Sequence, residues 1–235
     1  MADDIQHTRR RMLQHPELIL SDDQLEKFTL AEIEKLLRGR GKSLRDYPPM
    51  PTVMLDSLLS SDDRMIYEEL SYDRIAMAEE HTTLFASLTD EQLRVYEMIM
   101  HSVEGETGGV FFVYGYGGSG KTFVWKTLSS ALRSKGEVVL NVASSGIASL
   151  LLPGGRTAHS RFAIPISLNE DSTCNIKQGS PLARLIVRCK LIIWDEAPML
   201  HKFCFEALDR SMRDIMQFHR QNSVSLPYGG KTVVF

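Results

Sequence analysis

Long apolar runs are missing from this chain: no stretch approaches the roughly 18 consecutive residues that a membrane span needs. An excess of one charge is missing too. Lys and Arg number 27 against 30 Asp and Glu, a net charge of −3, so no global basic field announces a nucleic-acid partner and any such contact must be local. Cysteine is scarce. Cys174, Cys189 and Cys204 are odd in number, stand fifteen apart and never form C-x-x-C, which argues against a disulfide framework or zinc site and for a reducing compartment. The start, MADDIQHTRRRM, puts acids before a short basic run with no apolar core behind it, and so matches neither a secretory signal nor a transit peptide. What is present is enough for one main core and a smaller appendage, at 235 residues of which 43% are hydrophobic.

Residues 1–85 read as a helical and irregular leader. Leu30, Ile33, Leu36 and Leu37 fall at helical spacing, whereas the three prolines of DYPPMPTVM forbid continuous helix. The main domain is expected over 86–235. It opens with a helix carrying Leu93, Tyr96, Ile99, Met100 and Val103 on one face, started by Thr89 and Gln92 in the S/T-x-x-E/Q capping arrangement. Strand and helix then alternate: GVFFVY, a helix from FVWKTLSSALRSKG stopped by Gly136, EVVLNVA, KLIIWDEA and TVVF. Short runs apolar on both faces, with helices between them, predict an α/β domain whose parallel sheet is covered on both sides. Trp125, Trp194, Phe203, Leu208, Met212 and Ile215 read as core, and His201 and His219 have no metal-like partners at suitable spacing.

FFVYGYGGSGKTF, residues 111–123, fits three glycine motifs at once. A dinucleotide-binding G-x-G-x-x-G needs an acid at the end of the second strand, about 20 residues on, where this chain reads LNVASS. A kinase glycine loop needs valine where Thr122 stands, and H-R-D and D-F-G are absent downstream. The third motif, G-x-x-x-x-G-K-[ST], finds its partner instead.

In that P-loop reading Gly115, Tyr116, Gly117, Gly118, Ser119 and Gly120 aim backbone N–H groups and a helix dipole at the phosphates of ATP, and Lys121 adds a point charge. Thr122 and the strand-borne Asp195 hold Mg²⁺, and Glu196 polarises the attacking water. Lys121 and Glu196 are the expected catalytic pair.

Four blocks in order, LTDEQ, GYGGSGKTFVW, ASSGIASLLLPGGRTAHSRFAIP and IIWDEAPML, resemble the petite-integration-frequency (Pif-type) DNA helicases, particularly the subgroup associated with Helitron transposons. The resemblance covers roughly residues 20–235. It implies a RecA-like motor domain of a superfamily-one, 5′-to-3′ helicase, an intracellular and foremost nuclear place, and roles in repair, recombination and telomere maintenance. In that family the glutamine matching Gln92 reads adenine, which suits an amide able to donate and accept; capping by Thr89 is the plainer reading, and the two are compatible.

The stretch 143–165 alone reads as a polar loop. Beside the motor motifs and the resemblance it becomes the candidate contact for single-stranded DNA, through Ser145, Gly146, Arg156, His159, Ser160, Arg161 and Phe162, which offer cations, donors and a stacking ring. Family members continue past the apolar TVVF into a phosphate-sensing glutamine and a second RecA-like domain bearing an arginine finger. This chain is therefore expected to be a truncated motor domain that binds nucleotide and unwinds little or nothing. The competing readings are a signalling or remodelling ATPase indifferent to DNA and a non-catalytic nucleotide-binding fragment.

Overall fold

The computed structural model describes residues 64–235 throughout and, before them, residues 26, 29, 30, 33, 37, 44–47 and 50. The chain divides into two compact units, Met1–Arg64 and Met65–Phe235. In the first, Leu30, Ile33 and Leu37 are helical as their spacing predicts, and Leu44–Asp46 form a 3-10 turn. Leu36, most of DYPPMPTVM and the leader before residue 26 lie outside the described residues.

From Arg64 onward the chain forms helices α1 (Arg64–Leu70), α2 (Arg74–Ala86) and α3 (Asp90–Glu104). The expected capping box starts α3: the Thr89 side chain accepts from Gln92 N–H, and the Gln92 amide oxygen accepts from Thr89 N–H at 3.1 Å. Strand and helix then alternate through β1 (Gly109–Phe111), α4 (Lys121–Ser134), β2 (Val138–Ala143), α5 (Gly146–Leu150), β3 (Arg156–Thr157), α6 (Ala158–Phe162), α7 (Pro181–Arg188), β4 (Cys189–Asp195), α8 (Lys202–Met216) and β5 (Thr232–Val234). Gly136, at φ +74°, follows the end of α4 in the left-handed region where glycine is favoured.

All five strands are parallel, in the order β1-β5-β4-β2-β3. Successive side chains of a strand face opposite sides, and the sheet is apolar both ways. Leu140, Val142, Ile192, Trp194 and Val233 join one buried cluster with residues of α7 and α8. Val139, Leu191, Ile193 and Val234 join the other with α3 and α4. This is the α/β arrangement that the apolar runs predicted, a parallel sheet covered on both sides.

Two placements are not given by the sequence pattern. TVVF, expected as a strand, is interior: β5 lies between β1 and β4 with all three residues buried. The two-residue β3 has no apolar run to announce it. It pairs Arg156 and Thr157 with Val142 and Ala143, tying the polar 143–165 stretch to the sheet.

Candidate active site

In a parallel sheet all carboxyl ends lie along one edge, where ligands of open α/β sheets bind. β1 leads into the glycine loop there, and β4 brings Asp195 and Glu196 to the same edge, one strand away across β5. Two glycines of the loop, Gly118 and Gly120, hold a φ of +82°, the left-handed region that favours glycine. At Gly120 a Cβ would also stand 2.4 Å from the Gln92 amide nitrogen, and at Gly115 it would meet the Ser119 side chain, Oγ at 2.5 Å. Gly117 has no positive φ and no protein neighbour within 4 Å of a built Cβ. The middle glycine of G-x-G-x-x-G is therefore the one least constrained by the protein itself.

Lys121 and Thr122 open α4. The Lys121 ammonium donates to the carbonyls of Gly115 and Tyr116, the latter at 3.2 Å, which holds the charge inside the loop. Tyr116 is exposed and sets its ring edge-on to Tyr114, centroids 5.9 Å apart. Gln92, already in the α3 cap, sends its amide N–H to Ser119 O at 3.4 Å, so the residue expected to read adenine does border the loop.

Asp195 ends β4, and its Oδ1 accepts from Trp125 Nε1–H at 3.4 Å. Trp125 is fully buried and was expected to be core alone; its indole N–H, one turn into α4, also steers the carboxylate. Glu196 follows at φ +53°, in the left-handed region that a non-glycine residue enters at a cost. Its Oε2 accepts from the Ser145 hydroxyl at 2.8 Å. The neighbouring Ser144 Oγ accepts from Trp194 Nε1–H at 3.1 Å, and Ser144 N–H donates to Asp195 O at 3.1 Å. Thus the ends of β2 and β4 are cross-tied at the acids.

A hydroxyl on Thr122 and one carboxylate on Asp195 are a donor set that fits Mg²⁺, which takes few protein ligands and completes its shell with water and phosphate oxygens. One Asp195 oxygen accepts from Trp125; the other offers both of its lone pairs. Glu196, tied through a single oxygen, keeps its second for a water.

The candidate DNA segment divides. Gly146, Arg156 and Ser160 are exposed, and Ser145 and His159 are half-buried. Arg161 and Phe162 are not available, which corrects their expected role. Arg161 is 3% exposed and paired to Glu69, and burial pulls its guanidinium below the usual value while Glu69 opposes the shift. Phe162 is fully buried against Trp194, ring centroids 6.0 Å apart, so its face has no room for a base. Arg156, itself 3.6 Å from Glu68, remains the exposed cation. Phe203, expected in the core, is half-buried beside His201 at 4.6 Å. His201 caps α8 by accepting from Phe203 N–H at 3.3 Å.

Residues 87–235 match the family model of the PIF1-like helicase. ATP-dependent DNA helicase PIF4 of Trypanosoma brucei brucei is 29% identical over 151 residues, 63% of this chain and 17% of that protein. ATP-dependent DNA helicase Pif1 of a Psychrobacter species is 31% identical over 131 residues, 55% of this chain and 19% of that protein. A crystal structure of Bacteroides Pif1 bound to single-stranded DNA is 28% identical, with a TM-score of 0.49, over 63% of this chain and 31% of that one. The chain spans under a fifth of the length of the curated relatives it matches. The family match takes in well over half of the chain, including the α3 cap, the glycine loop and both acids: this chain belongs to the PIF1-like helicase family.

Proposed function

We propose that the chain is the ATP-hydrolysing first motor domain of a helicase that moves 5′ to 3′ along single-stranded DNA. The observation that carries this reading is the common edge on which the Lys121 loop, Asp195 and Glu196 meet, with Ser145 of the candidate DNA segment hydrogen-bonded to Glu196 at 2.8 Å. Two relatives bearing the name ATP-dependent DNA helicase support it.

In this reading the loop N–H groups and the start of α4 hold the β- and γ-phosphates, and Lys121 turns from its loop carbonyls to them. The second amide hydrogen of Gln92 is left for adenine. Thr122 and Asp195 hold Mg²⁺, which when bound neutralises charge on the phosphates. Glu196 takes a proton from water as the water oxygen attacks Pγ; the bond from Pγ to the β–γ bridging oxygen breaks and ADP leaves. Ser145, Gly146, Arg156, His159 and Ser160 form this domain's part of the DNA track. A second RecA-like domain supplies the rest of the track and an arginine finger, a group worth about 10³ to 10⁵ in rate where it has been tested.

The test is ATP turnover by the full-length protein with and without single-stranded DNA. Stimulation by DNA is expected, with nucleotide binding lost in Lys121→Ala and retained, with only residual hydrolysis, in Glu196→Gln. Turnover indifferent to DNA would instead identify a remodelling ATPase.

A further inference from the structure

The Ser145 hydroxyl is shared. As N-cap of α5 its oxygen accepts from Ala148 N–H at 3.1 Å, and its single proton goes to Glu196 Oε2 at 2.8 Å. A hydroxyl has one proton and two lone pairs, so the two bonds use it in complementary ways and each polarises the other. Its position is not left to loop freedom. The β2–β4 ladder runs to Ala143 opposite Asp195, and Ser144 N–H extends it to Asp195 O at 3.1 Å, which sets Ser144 across from Glu196 and Ser145 one residue further along the same strand end. On the other side, the Glu196 backbone is fixed in the left-handed region, and its carbonyl accepts from Met199 N–H at 3.1 Å in the Ala197–Met199 turn. With both backbones fixed, the bond from Ser145 selects which way the carboxylate points.

We propose that Ser145 is a positioning residue for Glu196: it holds one carboxylate oxygen so that the other is presented to the attacking water. The inference rests on the hydrolytic reading of Glu196 above. It assigns Ser145 to the chemical step, beyond its candidate place on the DNA track. Because the hydroxyl acts through Glu196, its loss should appear in kcat and leave ground-state binding alone.

The experiment compares Ser145→Ala, Ser145→Gly, Ser145→Thr, Glu196→Gln and the Ser145→Ala/Glu196→Gln double variant in the full-length protein at saturating single-stranded DNA. It reads kcat, KM for MgATP, single-turnover cleavage and affinity for MgADP. Ser145→Ala should lower kcat about tenfold, as one hydrogen bond to a charged group is worth, with KM and MgADP affinity within about twofold. Glycine is well tolerated at an N-cap, so Ser145→Gly should lose the same rate with the helix start intact. Threonine, which keeps the hydroxyl, should restore most of it. In the Glu196→Gln background Ser145→Ala should change cleavage less than about twofold, because coupled residues are not additive. A kcat within twofold of wild type in both Ser145→Ala and Ser145→Gly, an undiminished tenfold loss on top of Glu196→Gln, or no restoration by threonine would overturn the proposal. Wild-type hydrolysis in Glu196→Gln is a separate result: it would overturn the assignment of Glu196 as the base, whatever the serine variants do.

Discussion

The indole N–H of Trp125 donates to Oδ1 of Asp195 at 3.4 Å, linking the buried second turn of α4 to the acid expected to hold the metal. Trp125 is fully buried, so the donor is fixed by packing rather than by a flexible side chain. Trp125→Phe keeps most of the ring volume and removes the donor. We expect it to raise the Mg²⁺ concentration needed for half-maximal ATP turnover by about 3- to 10-fold, the worth of one ordinary hydrogen bond, as suits a length of 3.4 Å. Maximal turnover at saturating Mg²⁺ should fall less. An Mg²⁺ titration of both proteins checks this, and identical curves would remove Trp125 from the metal site.

The loop glycines separate two motifs by experiment. Gly120→Ala must fit a Cβ 2.4 Å from the Gln92 amide nitrogen at a φ of +82°, a clash added to backbone strain of about 1–2 kcal/mol. Gly117→Ala meets no neighbour within 4 Å and needs no positive φ. Titration with a fluorescent ATP analogue should find binding lost in Gly120→Ala and retained within several-fold in Gly117→Ala. A dinucleotide-type loop would require the middle glycine instead.

The parts of this site that sequence made legible are those governed by neighbours in the chain. Gly120 is dictated by the left-handed turn that opens α4, the Thr89–Gln92 box by one helix turn, and Asp195-Glu196 by the end of an apolar strand. What stayed hidden depends on distant partners. Arg161 looks like a free cation until Glu69, 92 positions earlier, is folded against it. Trp125 looks like plain core until Asp195, 70 positions later, accepts its N–H. Strand order belongs to the same class, since nothing in TVVF says that it will lie between β1 and β4. Phe162 illustrates the ambiguity most directly: a ring fit for base stacking is equally fit for a core, and packing chose the core.

Glu69 supports the most severe stability prediction. It is 6% exposed, bonded to Arg161 and 3.7 Å from Arg133, which is itself 1% exposed and lies over the Tyr72 ring at 3.9 Å. Glu69→Ala would leave two buried guanidiniums without their counter-charge, a loss of about 3–5 kcal/mol. Urea unfolding should find that loss in the midpoint at nearly unchanged slope. Glu68→Ala, facing the half-exposed Arg156 at 3.6 Å, should cost under about 1 kcal/mol. Equal effects from the two would show that the Glu69 cluster is not a buried charge network in solution.

His81 on α2 gives the pH dependence. Its Nε2 is 2.9 Å from Tyr96 Oη, with the rings stacked at 5.9 Å. Burial lowers its pKa from the usual 6.5, and the Lys135 charge adds to the shift. The folded protein therefore resists protonating His81. Below about pH 6.5 the unfolded chain binds a proton that the folded chain does not, so this group's contribution is fully present above that pH. It diminishes as pH falls through the unfolded value and is gone below the folded one. His81→Gln keeps a polar partner for Tyr96 but does not titrate. Urea midpoints measured at pH 7.5 and pH 5.5 should fall further for wild type than for His81→Gln, by a small margin because the ring is only half-buried. A wild-type drop equal to that of the variant would show that His81 is as easily protonated in the folded protein as in the unfolded chain.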